Sequence, residues 1–190
     1  MEESRPALLV MDVQNGIVSR YADKPDAMVP FQTAVRAARN AGVPVIFVRV
    51  AFREGYPEIS PRNKSFSMIS KQSTMTTADF STQIHASVAP TEGEPVVTKL
   101  RVSAFTGSDL EVILRGQSID TLVLCGIATS GVVLSTLREA ADKDYSLVVL
   151  SDACLDLDPE VHRVLMEKVF PRQAEVQTVE QWASALSAKP

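Results

Sequence analysis

The run Ala7-Leu8-Leu9-Val10-Met11, closed by Asp12, constrains the fold more than any other feature of the chain. Five apolar residues with no polar alternate describe a strand covered on both faces. Strands of that kind belong to parallel sheets flanked by helices. The pattern recurs along the sequence. Val45 to Val50 is a second run, rich in β-branched residues, and Val96-Val97-Thr98 predicts a short third strand. Thr121 to Cys125, Leu147 to Leu150, and Val176 with its neighbours predict a fourth, fifth and sixth.

Helical spacing fills the intervals. Phe31, Ala34, Val35, Ala38 and Ala41 recur on one face, and Gly42 then Pro44 supply the stop. Ser108 and Glu111 have capping-box spacing around Leu110, Ile113 and Leu114, with Gly116 as the close. A further helix is expected from about Ser130 to Asp142. Asp158-Pro159 reads as N-cap and first helical residue ahead of Val161, Val164, Leu165 and Val169. Six short strands with intervening helices predict a three-layer, Rossmann-like α/β fold. Its sheet is mainly parallel with helices on both faces, in a single domain over residues 1–190.

Composition narrows the partners. A net charge of −4 gives no reason to expect nucleic acid. No apolar run approaches the roughly 18 residues of a membrane span. The start, MEESRPALLVMD, lacks the basic region and cleavage site of a leader. Cys125 and Cys154, the two cysteines, have no metal-like spacing, so a cytoplasmic chain with reduced thiols is expected. One segment departs from the alternation. From Ala51 to about Thr74 there is little periodicity and many charges, which predicts either a lid over a ligand or a packed surface excursion.

In open parallel sheets ligands bind beyond the carboxyl ends of the strands, near the switch in strand order. The residues at those ends are Asp12, Arg49 with Arg53, Lys99, the turn from Gly126 to Val132, and Asp152. Asp12 is either a proton-transfer carboxylate with a raised pKa or a turn-forming cap. Lys99 is a solvated strand-end charge unless it meets Asp12, where it would hold the carboxylate ionised or stabilise charge on a substrate oxygen. Asp152 reads as structural. His85 and His162 fall in helical segments without a ligand pattern, and Cys125 reads as a buried, inert thiol. Cys154 lacks the electropositive setting a reactive thiol needs.

Taken together, Asp12-Val13-Gln14-Asn15, Thr98-Lys99 with Ser103-Ala104-Phe105, and Cys125-Gly126-Ile127-Ala128-Thr129 followed by Leu134-Ser135-Thr136 resemble the isochorismatase-like hydrolases. That family also holds nicotinamidases and N-carbamoylsarcosine amidases. The resemblance runs from about Ala7 to Trp182. It implies Asp12 and Lys99 as catalytic residues, and a backbone oxyanion hole at Ala128 and Val132 with a cis peptide between Ile127 and Ala128. Gln14 and Thr129, within the matching motifs, are expected at substrate; in the loop after strand two Arg53, Arg62 and Lys64 either bind a ligand carboxylate, with Phe66 packing on the ligand's apolar part, or are solvated loop charges. A homo-oligomer, dimer or tetramer, is also implied. The family's nucleophilic cysteine corresponds to Val132, which cannot form an acyl intermediate. Nicotinamidases bind a metal through histidines after strand two, and Ala51 to Thr74 contains none, so no metal and no other cofactor is expected.

Two functions follow from this departure. The first is a hydrolase of a small anionic molecule that works without a cysteine nucleophile. By resemblance to isochorismatases proper, it would cleave a vinyl ether with Asp12 as general acid. The second is a non-catalytic ligand-binding or scaffold protein that retains the fold, motivated by Val132. A cysteine amidase using another thiol is a distant third.

Overall fold

A computed structural model describes residues 4–69, 71 and 74–188. Its six strands are β1 (Pro6–Met11), β2 (Val45–Val50), β3 (Val96–Lys99), β4 (Thr121–Ile127), β5 (Ser146–Leu155) and β6 (Glu175–Gln177). They form one sheet in the order β3-β2-β1-β4-β5-β6, and every neighbouring pair is parallel. The α-helices are α1 (Asn15–Val18), α2 (Val29–Asn40), α3 (Phe66–Ile69), α4 (Leu110–Gly116), α5 (Leu134–Asp142), α6 (Pro159–Val164) and α7 (Val179–Ser187). Among the described residues no helix is long and apolar enough to cross a membrane.

The unbroken apolar runs have a direct cause. Along β1, Ala7, Leu9 and Met11 enter one core while Leu8 and Val10 enter the other, and all five are fully buried. On β4, Leu122 and Leu124 face the first core, and Val123, Cys125 and Ile127 the second. Leu110, Leu114, Leu137, Ala140, Leu165 and Phe170 cover the first core. Phe31, Ala34, Val35 and Ala38 of α2, with Val179 and Trp182 of α7, cover the second. Asp158 caps α6 as expected, accepting the N–H groups of Glu160 (2.9 Å) and Val161 (3.2 Å).

Three local expectations are corrected. The Ser108–Glu111 capping box does not form. Ser108 Oγ donates to the Ala104 carbonyl (2.6 Å), and Glu111 is drawn to Lys143 (2.7 Å) and Arg115 (2.8 Å). Gly116 is the last helical residue, and Ser118, at φ 54°, makes the left-handed turn beyond it. Strand β5 continues past Leu150 to Leu155, so Asp152 lies within it rather than after it. There its Oδ1 accepts the Val179 N–H at the start of α7 (2.8 Å), a structural role.

The extension of β5 depends on a bulge. Leu124 pairs with Val149 but Gly126 pairs with Cys154, and Ile127 then pairs with Leu155. The residues after Leu155 are thereby carried alongside those after Ile127. The irregular segment after β2 packs on a satellite cluster of Val50, Phe52 and Phe66, with Tyr56, Ile59 and Met75 against it.

Candidate active site

Strand order reverses between β1 and β4, so a crevice opens beyond their carboxyl ends. Asp12 stands at that point on β1, with a left-handed φ of 57° and its N–H donated to the Val48 carbonyl (2.8 Å). Aspartate tolerates this backbone better than most residues. Lys99 ends β3, two strands away, and its Nζ reaches Asp12 Oδ2 at 3.0 Å. The same ammonium donates to the Arg101 carbonyl (2.9 Å). Both side chains are buried, at 7% exposure for Asp12 and 2% for Lys99.

The two carboxylate oxygens are unequal. Oδ2 is held by Lys99, whereas Oδ1 is buried and has no hydrogen-bond partner among the described residues. Burial pushes the Asp12 carboxyl above its ordinary 3.8. The charge and hydrogen bond of Lys99 pull it down, and burial prevails.

Gly126 lets β4 approach β1 at this level, since a Cβ there would meet the Met11 carbonyl oxygen at 2.6 Å. The following peptide, Ile127–Ala128, is cis. The Ala128 carbonyl accepts the N–H groups of Gly131 (3.1 Å) and Val133 (3.3 Å), and the chain kinks at Gly131 before α5 begins. Val132, 2% exposed, is packed in the core against the sheet.

Two residues outside the expected set shape this turn. His162 Nδ1 lies 2.8 Å from Thr129 Oγ1, and Asp156 Oδ2 accepts the Ser130 N–H at 2.8 Å. Burial lowers the His162 pKa, with Asp156 pulling it upward. Burial also opposes ionisation of Asp156, yet the hydrogen bonds it accepts from Ser130 and its neighbours leave its pKa below 3.8. Asp156 arrives through the β5 bulge, which no local pattern announces. The only sequence signal for His162 was the Asp158-Pro159 cap, which placed a helix start nearby.

The residues expected at substrate divide sharply. Gln14 is fully buried and its amide is committed: Nε2 donates to the Val50 (3.0 Å) and Thr82 (3.1 Å) carbonyls, and Oε1 accepts the Val50 N–H (2.8 Å). It clamps strand β2 to the segment before α1 rather than presenting a free amide. Arg53 is 73% exposed and paired with Glu58, Arg62 and Lys64 are exposed, and Phe66 stacks edge-on against Phe52 inside the satellite cluster. Thr129 is fully buried and turned to His162. Arg49, also at a strand end, is used by Thr98 Oγ1 (3.1 Å) and Gln83 Oε1 (2.9 Å).

Neither thiol supplies a nucleophile. Cys125 is fully buried on the far face of β4, donates to the Leu9 carbonyl (3.4 Å), and burial drives its pKa well up. Cys154, also buried within β5, is pushed up to about 12 by desolvation. Among the described residues no three His, Cys, Asp or Glu side chains converge as a metal site.

A cavity of about 540 Å³ opens over the ends of β2 and β4, the strands flanking Asp12. Val50, Ile127 and Ala128 form its base, Ile17, Arg20 and Tyr21 one wall, and Ser130 with Asp156 another. Ile69, Thr74 and Met75 reach it from the long segment after β2, which therefore both packs on its own cluster and borders the cavity.

Comparison with known proteins bears on the family and the fold. The sequence profile of the Isochorismatase domain matches residues 6–181. The chain is 33% identical over 180 residues to YwoC of Bacillus subtilis, an uncharacterized isochorismatase family protein, covering 94% of this chain and 92% of the relative. It is 31% identical over 213 residues to the ureidoacrylate amidohydrolase RutB of Stutzerimonas stutzeri, covering 99% and 82%. The fold is similar to the crystal structure of a cysteine hydrolase from Pseudomonas syringae pv. phaseolicola, with a TM-score of 0.88 at 24% identity, covering 97% of this chain and 93% of that one.

Proposed function

This chain belongs to the isochorismatase family, and from that premise we propose that it hydrolyses a small anionic molecule without an enzyme nucleophile, Asp12 carrying the proton. The observation that bears this reading is the division of the Asp12 carboxyl. Lys99 occupies Oδ2, so a proton on Asp12 belongs on Oδ1, the buried oxygen without a partner. Burial raises the pKa, which favours the protonated form a general acid needs. Nothing in the protein competes with substrate for that proton among the described residues.

A vinyl ether suits such a group. Asp12 Oδ1–H protonates the terminal CH₂ carbon, and the electrons of the C=C bond form the new C–H bond. The ether oxygen stabilises the resulting oxocarbenium ion, water adds to its carbon, and the proton lost by that water returns to Asp12. The hemiketal then breaks its C–O bond, releasing an alcohol and a keto acid. Once Asp12 is protonated the Lys99 charge is no longer neutralised, and its third N–H, beyond those given to Asp12 and the Arg101 carbonyl, can hold the carboxylate beside the reacting bond. The covalent amide chemistry of cysteine-using relatives has no support here, because Val132 stands at the position that corresponds to their thiol and its side chain is in the core.

Pyruvate release from isochorismate, followed by a coupled dehydrogenase assay, tests the reading. Wild type should turn over, and Asp12→Asn should lose about 10²-fold or more. No pyruvate from wild type removes the vinyl-ether chemistry, and undiminished release by Asp12→Asn removes the role of Asp12. The apolar packing of Val132 favours one other reading, a non-catalytic ligand binder. It predicts unchanged ligand affinity in Asp12→Asn together with no turnover in either protein.

A further inference from the structure

The cavity over the ends of β2 and β4, beside Asp12, carries one charge of each sign. Of its described lining residues only Arg20 and Asp156 carry formal charge, and the remainder are apolar, hydroxyl-bearing or glycine. The two come from distant parts of the chain: Arg20 from the short helical turn Ser19–Tyr21 after β1, Asp156 from the position that follows β5. Their situations differ. Asp156 is already satisfied, with Oδ2 accepting the Ser130 N–H (2.8 Å) and Oδ1 the Asp158 N–H (3.3 Å). Arg20 makes no ion pair or hydrogen bond with any described side chain, although other exposed arginines, Arg53 and Arg115 among them, are paired.

Asp12 and Lys99 lie outside this lining and add no net charge beside it, since they neutralise each other while Asp12 is ionised. The Ser130 N–H, at the beginning of the turn into α5, would ordinarily attract an anion, but Asp156 occupies it. An anionic ligand group is therefore repelled from the Ser130 wall and left with one cation at the rim. Tyr21 lines the same cavity, and its phenol senses both charges. Burial is the first cause of its raised pKa, Asp156 raises it further, and Arg20 lowers it.

We propose that Arg20 is the anion-binding residue of this cavity, taking a carboxylate remote from the reacting bond, and that Asp156 on the other wall fixes the direction in which the ligand lies. The assignment rests on the proposed function in treating this cavity, over the strand ends that flank Asp12, as the substrate site. It replaces Arg53, Arg62 and Lys64 as the specificity cations, since Arg53 is engaged by Glu58 and none of the three lines the cavity. A guanidinium presents two parallel N–H donors to a carboxylate, so this position favours a planar carboxylate over an uncharged isostere.

The test is equilibrium binding of benzoate and of benzamide, its neutral isostere, followed by ligand-observed NMR at millimolar concentration. The proteins are wild type, Arg20→Gln and Asp156→Asn. Wild type should bind benzoate at least about tenfold more tightly than benzamide, and Arg20→Gln should erase that preference. Asp156→Asn keeps an acceptor for the Ser130 N–H but loses the charge, so it should tighten benzoate several-fold. Equal binding of both probes by wild type, no benzoate binding at all, or full benzoate affinity in Arg20→Gln overturns the assignment of Arg20. Unchanged or weaker benzoate binding in Asp156→Asn overturns the orienting role of Asp156. Turnover is not read in this experiment. Benzoate binding through Arg20 without pyruvate release would sink the vinyl-ether reading alone, and pyruvate release without a benzoate preference would sink this one alone.

Discussion

Replacing Lys99 by methionine tests the electrostatics of the site most directly. The substitution keeps an unbranched apolar stem, removes the ammonium from Asp12 Oδ2, and leaves the Arg101 carbonyl without its 2.9 Å donor. A buried carboxylate without a partner is strongly unfavourable, but Asp12 has an escape: it can bind a proton. The cost of that escape sets a ceiling on the charge penalty. From the ordinary value of 3.8 to pH 7 it amounts to about 4 kcal/mol, at about 1.4 kcal/mol per pH unit. At pH 5 the same ceiling is roughly 2 kcal/mol. The lost carbonyl hydrogen bond adds about 1 kcal/mol at either pH. Urea denaturation of wild type and Lys99→Met at the two pH values should show a destabilisation that is largest at pH 7 and shrinks by about half at pH 5. Adding Asp12→Asn should remove the pH dependence while retaining the smaller constant part. A penalty that does not change with pH, or that persists in pH-dependent form in the double variant, would refute a buried, Lys99-dependent carboxylate.

Other substitutions probe the surrounding frame. Gln14→Leu strips acceptor and donor from three buried backbone groups and should cost about 3 kcal/mol in chemical denaturation; a loss below about 1 kcal/mol would show that the clamp is dispensable. Thiol titration of the native protein should detect neither Cys125 nor Cys154, with both appearing on unfolding, and one fast-reacting native thiol would reopen cysteine chemistry. His162 titrates below 6.5 in the folded chain. Between its folded value and 6.5 the unfolded chain binds more protons, so this contribution to stability rises with pH and is complete above 6.5. His162→Gln should flatten that stretch of the stability–pH curve, and an unaltered slope would count against a half-buried, neutral imidazole on Thr129.

How much of this could be read from the residues alone depends on the range of the interactions involved. Continuous apolar runs arise because each residue of β1 and β4 meets a core on one face or the other, a condition every residue reports individually. The strands, the parallel class and the position of Asp12 past β1 were therefore legible. The Asp158-Pro159 cap is equally local and forms as expected. Ser108 and Glu111 show where locality fails: the spacing of a capping box was present, but Lys143 from the end of α5 competes for the carboxylate and the box is not made.

The site itself belongs mostly to the tertiary structure. Asp12 and Lys99 were each visible as strand-end residues, but their 3.0 Å contact exists only because β2 separates β1 from β3 in the sheet. Gln14, Arg53, Phe66 and Thr129 were assigned by type and position, and in the folded chain each is committed to a protein partner or a packed cluster. Asp156 and Arg20 gave no local signal, and the Asp158-Pro159 cap placed a helix start near His162 without marking its role. Asp156 reaches the Ser130 N–H through a bulge, His162 reaches Thr129 across the crevice from α6, and Arg20 borders the cavity on a turn too short for any periodicity. Hydrophobic burial is additive over residues and leaves its pattern in the sequence. Polar pairing depends on register and crossover, which are settled only when the whole sheet has formed.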